Sequence, residues 1–161
     1  LEGARLVAVL TQAQDPGNAG TIIRAADAAG ADAVVLVRGS VDPTAPKVVR
    51  STAGSLFHLP VVTGVALDDA VTALHNAGLT VLAADGRGDF DLFEAESLLE
   101  APSAWLLGNE AHGLPSEALS RADAVVSIPI YGKAESLNVA AAAAVCLYAS
   151  ARAQAQNSGR S

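Results

Sequence analysis

Methionine is absent from this 161-residue chain, and cysteine and tryptophan occur once each. A single cysteine, Cys146, excludes an intramolecular disulfide and any cysteine-based zinc cluster. Set among alanines, it reads as a small buried hydrophobe, and a reducing cytoplasm suits it. His58, His75 and His112 lack metal-ligand spacing. No apolar run reaches the roughly 20 residues that a membrane span needs, and the N-terminus has neither the basic start nor the apolar stretch of a signal peptide. A start at Leu1 with no methionine anywhere points to a processed or truncated protein with something missing upstream. Cations are scarce too. Ten Lys and Arg against 17 Asp and Glu leave a net charge of −7, poor footing for a freestanding nucleic-acid binder, whose phosphate contacts need positive charge. There is no G-x-G-x-x-G. Gly132-Lys133 has neither a glycine five residues before it nor a Ser or Thr after it, so dinucleotide sites and P-loops are both unsupported. A nucleophile elbow is missing as well, which disfavours an α/β hydrolase.

What the chain does have is apolar residues, 51% of the total, enough at this length for one domain with a proper core. They come in short runs: LVAVL (6–10), AVVLV (33–37), LPVV (59–62), LTVLAA (79–84), AWLLG (104–108) and AVVSIPI (124–130). Short, continuous and rich in β-branched residues, these read as strands buried on both faces of a parallel sheet. Helical stretches alternate with them at about 19–29, 44–53, 67–77, 114–120 and 136–153. The alternation predicts an α/β domain, a mostly parallel sheet with helices on both faces. Gly30, Gly54, Gly64 and Gly78 punctuate the segments. The polar end, residues 154–161, lacks a core pattern and reads as a flexible tail, leaving residues 1–153 as the domain.

Ligands of open α/β sheets sit at the carboxyl ends of the strands, and three loops in such places carry unusual chemistry. In DPGNAGTIIRAADAAGA, Asp15 and Pro16 turn the chain, and Asn18 stands where a helix N-cap is wanted. Arg24 lies in an apolar setting and must find a partner such as Asp27 or reach solvent. In LLGNEAHGLP, Glu110 is placed to favour a helix start, and His112 reads as a loop residue. In YGKAESLNVAAAA, either Ser136 or Asn138 caps the alanine-rich helix, and the other is left to be explained.

Together these segments resemble the SpoU (TrmH-like) family of SPOUT methyltransferases. NAGTIIRAADAAG is similar to the family's first motif, N-x-G-x-x-x-R-x-A-x-x-x-G, LLGNEAHGLP to its second, and IPIYGKAESLNVAAAAA to its third. STAGSLFHLPV has the family look as well, so the resemblance covers nearly the whole chain. One departure stands out: Ala140 occupies a place where most relatives have serine, a loss of helix-start polarity.

The resemblance implies an RNA ribose 2′-O-methyltransferase using S-adenosylmethionine and no metal. It also implies a C-terminal trefoil knot, which general folding rules would disfavour, and a homodimer through the knot region. Carried over by position, the donor site would use main-chain groups around Gly108, Ile128 and Leu137, with Ala83 and Ala84 lining the same pocket. The polar set, Asn18, Arg24, Glu110, Ser136 and Asn138, would face the RNA ribose and its phosphate, with Arg24 the family's candidate at the reacting hydroxyl. Lys47, Arg50, Arg87 and Lys133 are further candidates for RNA contact or for a solvated surface. Many relatives carry an RNA-binding domain ahead of the catalytic one; its removal here would account for the acidity. Ribosomal RNA is preferred to transfer RNA as the target. The competing reading is a non-catalytic SPOUT-fold module that binds RNA or assists ribosome assembly, disfavoured because the polar motif residues are all present.

Overall fold

The computed structural model describes residues 1–108 and 113–158. Strands β1 (Leu6–Leu10), β2 (Ala33–Val37), β3 (Val61–Val65), β4 (Thr80–Ala84), β5 (Phe90–Asp91), β6 (Ser103–Leu107) and β7 (Ala124–Ser127) form one sheet in the order β3-β2-β1-β6-β4-β7-β5. Every pairing in it is parallel. Helices α1 (Pro16–Ala28), α2 (Pro46–Thr52), α3 (Leu67–Asn76), α4 (Glu96–Glu100), α5 (Ser116–Arg121) and α6 (Val139–Ser158) lie between and after the strands.

Side chains alternate across a strand, and here both faces are covered. Leu6, Ala8, Leu10, Val34, Leu36, Leu82, Trp105 and Leu107 point into a core closed by Ile22, Ile23 and Ala26 of α1 and by Ala143, Cys146 and Leu147 of α6. Val7, Val9, Val35, Val81, Ala83, Ala104 and Leu106 point the other way, against Ala70, Val71 and Leu74 of α3 and Ala118 of α5. That is why the central strands read as unbroken apolar runs. Trp105 is fully buried, and its indole N–H donates to the Ser150 hydroxyl of α6 at 2.8 Å. Burial of Cys146 pushes its thiol up to about 12, consistent with a small hydrophobe.

Several boundaries differ from the sequence reading, each for a local reason. Helix α1 starts at Pro16 because Asp15, not Asn18, is the cap: its side chain accepts the Asn18 main-chain N–H at 3.1 Å. Strand β7 stops at Ser127 and α6 begins only at Val139. At the far end α6 runs on to Ser158 rather than fraying from 154. Gln154 is buried, and its amide donates to the carbonyls of Arg5 (2.9 Å) and Ala101 (3.2 Å), tying the helix end to the start of the sheet. Only one stripe of α6 is buried, from Ala140 through Ala143, Cys146, Leu147 and Ser150 to Ala153, while Tyr148 on another side is half exposed.

Candidate active site

The strands β4, β6 and β7 lie side by side, and past their carboxyl ends a pocket of about 240 Å³ opens. Ala84, Gly108, Ile128 and Leu137 line it, four of the five residues assigned to the donor site. The fifth, Ala83, does not: it is fully buried in the opposite core, because adjacent residues of a strand face opposite ways. Leu137 and Ile130 keep 40% and 38% of their surface exposed at the pocket, large apolar side chains that the described residues leave partly uncovered.

Gly108 owes its identity to crowding. A Cβ there would lie 2.7 Å from the carbonyl carbon of Gly113 and 2.9 Å from the Leu114 nitrogen, closer than backbone atoms tolerate. The main chain at Gly113 and Leu114 therefore packs directly against the end of β6, and Gly113 forms part of the pocket wall.

Sequence reasoning missed the device that holds this contact. Asp85, next after β4, lines the pocket, and its nearly buried carboxylate accepts from the Arg87 side chain at 2.7 Å (Nε to Oδ1) and 2.8 Å (Nη2 to Oδ2). Asp85 Oδ2 also accepts the Leu114 N–H at 3.4 Å, while Arg87 donates to the Leu114 carbonyl at 3.0 Å. The Arg87 hydrogen bonds hold the Asp85 carboxyl below its usual range, against the opposing effect of burial. Arg87, singled out as an RNA contact, is thus engaged in bracing a loop. A carboxylate immediately after a strand and two residues before an arginine was the available signal.

The first and third motifs meet. The Asn138 side-chain amide donates to Asn18 Oδ1 at 3.4 Å, across 120 residues of chain. Asn138 is also the cap of α6, its Oδ1 accepting from the N–H groups of Ala140 (2.8 Å) and Ala141 (3.2 Å). Ser136 is therefore the residue left over, and it lines the pocket. Arg24 is exposed and forms no ion pair among the described residues. The partner considered for it, Asp27, is taken: His58 Nδ1 lies 2.7 Å from its carboxylate, and hydrogen bonds from His58 and Ser55 hold that carboxyl low. Glu110 and His112 lie outside the described residues.

The lining fits a cationic, partly apolar ligand. Ile128, Ile130 and Leu137 offer apolar walls, main-chain groups at Gly108 and Gly113 offer hydrogen bonds, and Asp85 and Glu135 are the charged residues in the wall. Among the described residues, no Lys or Arg lines it.

Comparison with known proteins follows the same lines. The model of the SpoU rRNA Methylase family matches residues 5–148. A 23S rRNA (guanosine(2553)-2'-O)-methyltransferase of Bacillus subtilis (strain 168) is 42% identical over 151 residues, covering 92% of this chain and 58% of that protein. The crystal structure of the SpoU methyltransferase AviRb from Streptomyces viridochromogenes, in complex with the cofactor AdoMet, superposes with a TM-score of 0.85 at 37% identity, over 93% of this chain and 60% of that one. A structure described as giving insight into the 2-OH methylation of C/U34 on tRNA superposes at 0.83 with 32% identity, over 94% of this chain and 97% of that one. The chain spans 58%, 54% and 49% of the length of three curated relatives that it matches.

Proposed function

The chain belongs to the SpoU rRNA methylase family, and from that premise we propose that it moves a methyl group from S-adenosylmethionine to a ribose 2′-hydroxyl of RNA. One observation carries the reading. The pocket beyond β4, β6 and β7 gathers Gly108, Ile128, Leu137 and Ser136, while Asn138, between two of its lining residues, holds Asn18 of the first motif.

The donor supplies a methyl carbon made electrophilic by a positively charged sulfur. Leu137, Ile128 and Ile130 would offer the donor's base apolar walls, and the main chain at Gly108 and Gly113 would offer it hydrogen bonds. Glu135 would complement the positive charge, which favours the charged donor over its neutral product; the Asp85 carboxylate is already paired with Arg87. When bound, the donor would give up its methyl to the hydroxyl oxygen, leaving its sulfur neutral, and the hydroxyl proton would have to be taken up. The protein's task is alignment and help with that proton. Arg24 stays protonated in proteins, so its role is to clamp the neighbouring phosphate and stabilise developing charge, with the proton passing to phosphate or water. Ser136 and Asn18 orient ribose and phosphate oxygens. Asn138 braces the loop between the third motif and α6, and Glu110 fixes Arg24 or Asn18.

The same proposal takes ribosomal RNA as the target, a cytoplasmic setting, a knotted C-terminal region and a homodimer. Support for the dimer lies on the outer side of α6. There a groove of about 590 Å³ is lined by Leu92, Phe93, Leu99, Val145 and Tyr148, with Phe93 and Tyr148 more than half exposed. No helix among the described residues is long and apolar enough to cross a membrane. Tritiated methyl transfer from S-adenosylmethionine to total RNA tests the activity: incorporation that survives periodate-resistant 2′-O-methyl mapping is expected, and none from a folded, donor-binding protein refutes it.

A further inference from the structure

Helices α1 and α2 run side by side in the same direction, and the contacts along them fix the register. Lys47 lies close enough to Asp15 to depress its carboxyl, though less than the Asn18 hydrogen bond does. Gly20 packs so tightly on Val48 and Ser51 that a Cβ would collide with both. Asp27 reaches His58 at 2.7 Å, just past the short 3-10 turn Ser55–Phe57. Gly20, Arg24 and Asp27 recur at helical spacing, so Arg24 sits on the stripe of α1 that faces this seam. On the other side, Lys47 and Arg50 are one turn apart and both exposed.

Three of the five other arginines among the described residues are occupied. Arg87 is tied to Asp85, Arg121 to Asp68, and Arg38 to the Gly64 carbonyl. Arg24, Lys47 and Arg50 form no ion pair among the described residues. The acids near them are spent on their own surroundings: Asp15 caps α1, Asp27 holds His58, and Asp42 holds Thr44. On a chain of net charge −7, the seam sets Arg24, Lys47 and Arg50 against Asp15, Asp27 and Asp42, a local balance of charge in place of the excess of acid over the whole chain.

An aromatic stands at the end of the seam. Ala53 and Gly54 are both left-handed (φ 50° and 91°) and turn the chain sharply into the 3-10 turn. That turn buries Ser55 and Leu59 and leaves the Phe57 ring 82% exposed. No packing requirement accounts for it. Exposed cations leading to a bare ring are features that unpaired nucleic acid binds, with phosphates on the cations and a base stacked on the ring.

We propose that the seam of α1 and α2, with Phe57, binds a single-stranded RNA segment: its phosphates lie on Lys47, Arg50 and Arg24, and one base stacks on Phe57. The inference rests on the reading that RNA is the substrate, and it specifies the surface that meets it. Asn18 and Arg24 lie on the same helix, so a strand on this track runs toward the pocket.

The test uses a fluorescein-labelled RNA hairpin with a long unpaired loop, and a fully paired version of it, at low salt. Wild type binds the looped probe better. Phe57→Ala weakens that binding about tenfold, and Phe57→Tyr, which keeps a ring, restores it. Lys47→Ala weakens both probes and lowers the salt dependence by about one counterion. Donor affinity, read by calorimetry, is unchanged in all three variants. Looped-probe binding by Phe57→Ala equal to wild type overturns the inference, as does a wild type that binds donor but neither RNA. A Phe57→Ala protein whose light-scattering mass changes while RNA affinity holds makes the patch a protein contact and also overturns it. Failure to bind donor refutes the methyl-transfer reading instead, and leaves the RNA result to stand or fall alone.

Discussion

Replacing Gly108 by alanine isolates the geometry of the pocket wall. The residue is not in the left-handed region, so its own backbone conformation admits a side chain. The cost is contact alone. An added Cβ meets main-chain atoms of Gly113 and Leu114 at 2.7–2.9 Å, where ordinary contacts begin near 3.4 Å. The main chain at Gly113 and Leu114 must therefore retreat by roughly 0.7 Å, and backbone cannot swing aside as a flexible side chain can. The Asp85–Arg87 brace resists, because it grips both the N–H and the carbonyl of Leu114. Overpacking of this kind costs about 1–3 kcal/mol. If the strain is relieved at the pocket rather than in the core, it appears as a donor affinity weakened by about 5- to 150-fold. Isothermal calorimetry with S-adenosylmethionine and with its demethylated product reads this directly. Gly132→Ala is the control, a nearby loop glycine whose Cβ would meet nothing within 4 Å. Gly108→Ala binding the donor within twofold of wild type, with Gly132→Ala doing the same, would refute the argument that this backbone contact shapes the site.

Arg24→Ala abolishes methyl transfer, a loss of about a hundredfold or more for a misaligned reacting group, while donor binding by calorimetry stays near wild type; Arg24→Lys fails too, since a point charge cannot reproduce the planar fork. Retained turnover in either variant sinks that role. Ser150→Ala leaves the buried Trp105 indole N–H without its acceptor and costs roughly 1–3 kcal/mol, which at this size is about 2–4 °C of Tm per kcal/mol; an unchanged melting curve rejects it. Because the folded Asp85 carboxyl is held below its ordinary 3.8, its stabilisation is fully present above that value and is lost as pH falls through the lower folded one. Asp85→Asn is therefore expected to flatten the acid limb of the Tm–pH profile below pH ~4, and a limb as steep as wild type counts against the brace.

The parallel sheet was legible because its inner strands are buried on both faces and show as apolar runs. The region from Phe90 to Glu100 was not: β5 has two residues and α4 five, too few for any periodicity to register. Helix α6 was read short because a hydropathy pattern treats Gln154 as polar tail, whereas its amide satisfies two main-chain carbonyls and so belongs inside. Of the residues assigned to the donor site, Gly108, Ile128, Leu137 and Ala84 came to line one pocket. Ala83 did not, for a reason of strand parity that placing both neighbours in one wall had overlooked. The Asp85–Arg87 pair could be read locally, from its place just after a strand, but its grip on Leu114, 29 positions from Asp85, could not.

The sheet order has a bearing on how the protein is born. Strand β1 is flanked by β2 and β6, and β6 starts 66 residues after β2 ends. Strand β4 has neighbours, β6 and β7, that are both made after it. At translation speeds of about 5–20 residues per second, one flank of β1 stays open for roughly 3–13 s after β2 has left the ribosome. For that interval the nascent chain displays one open edge of a wholly apolar strand, Leu6 to Leu10, an exposure written into the topology rather than into any one residue.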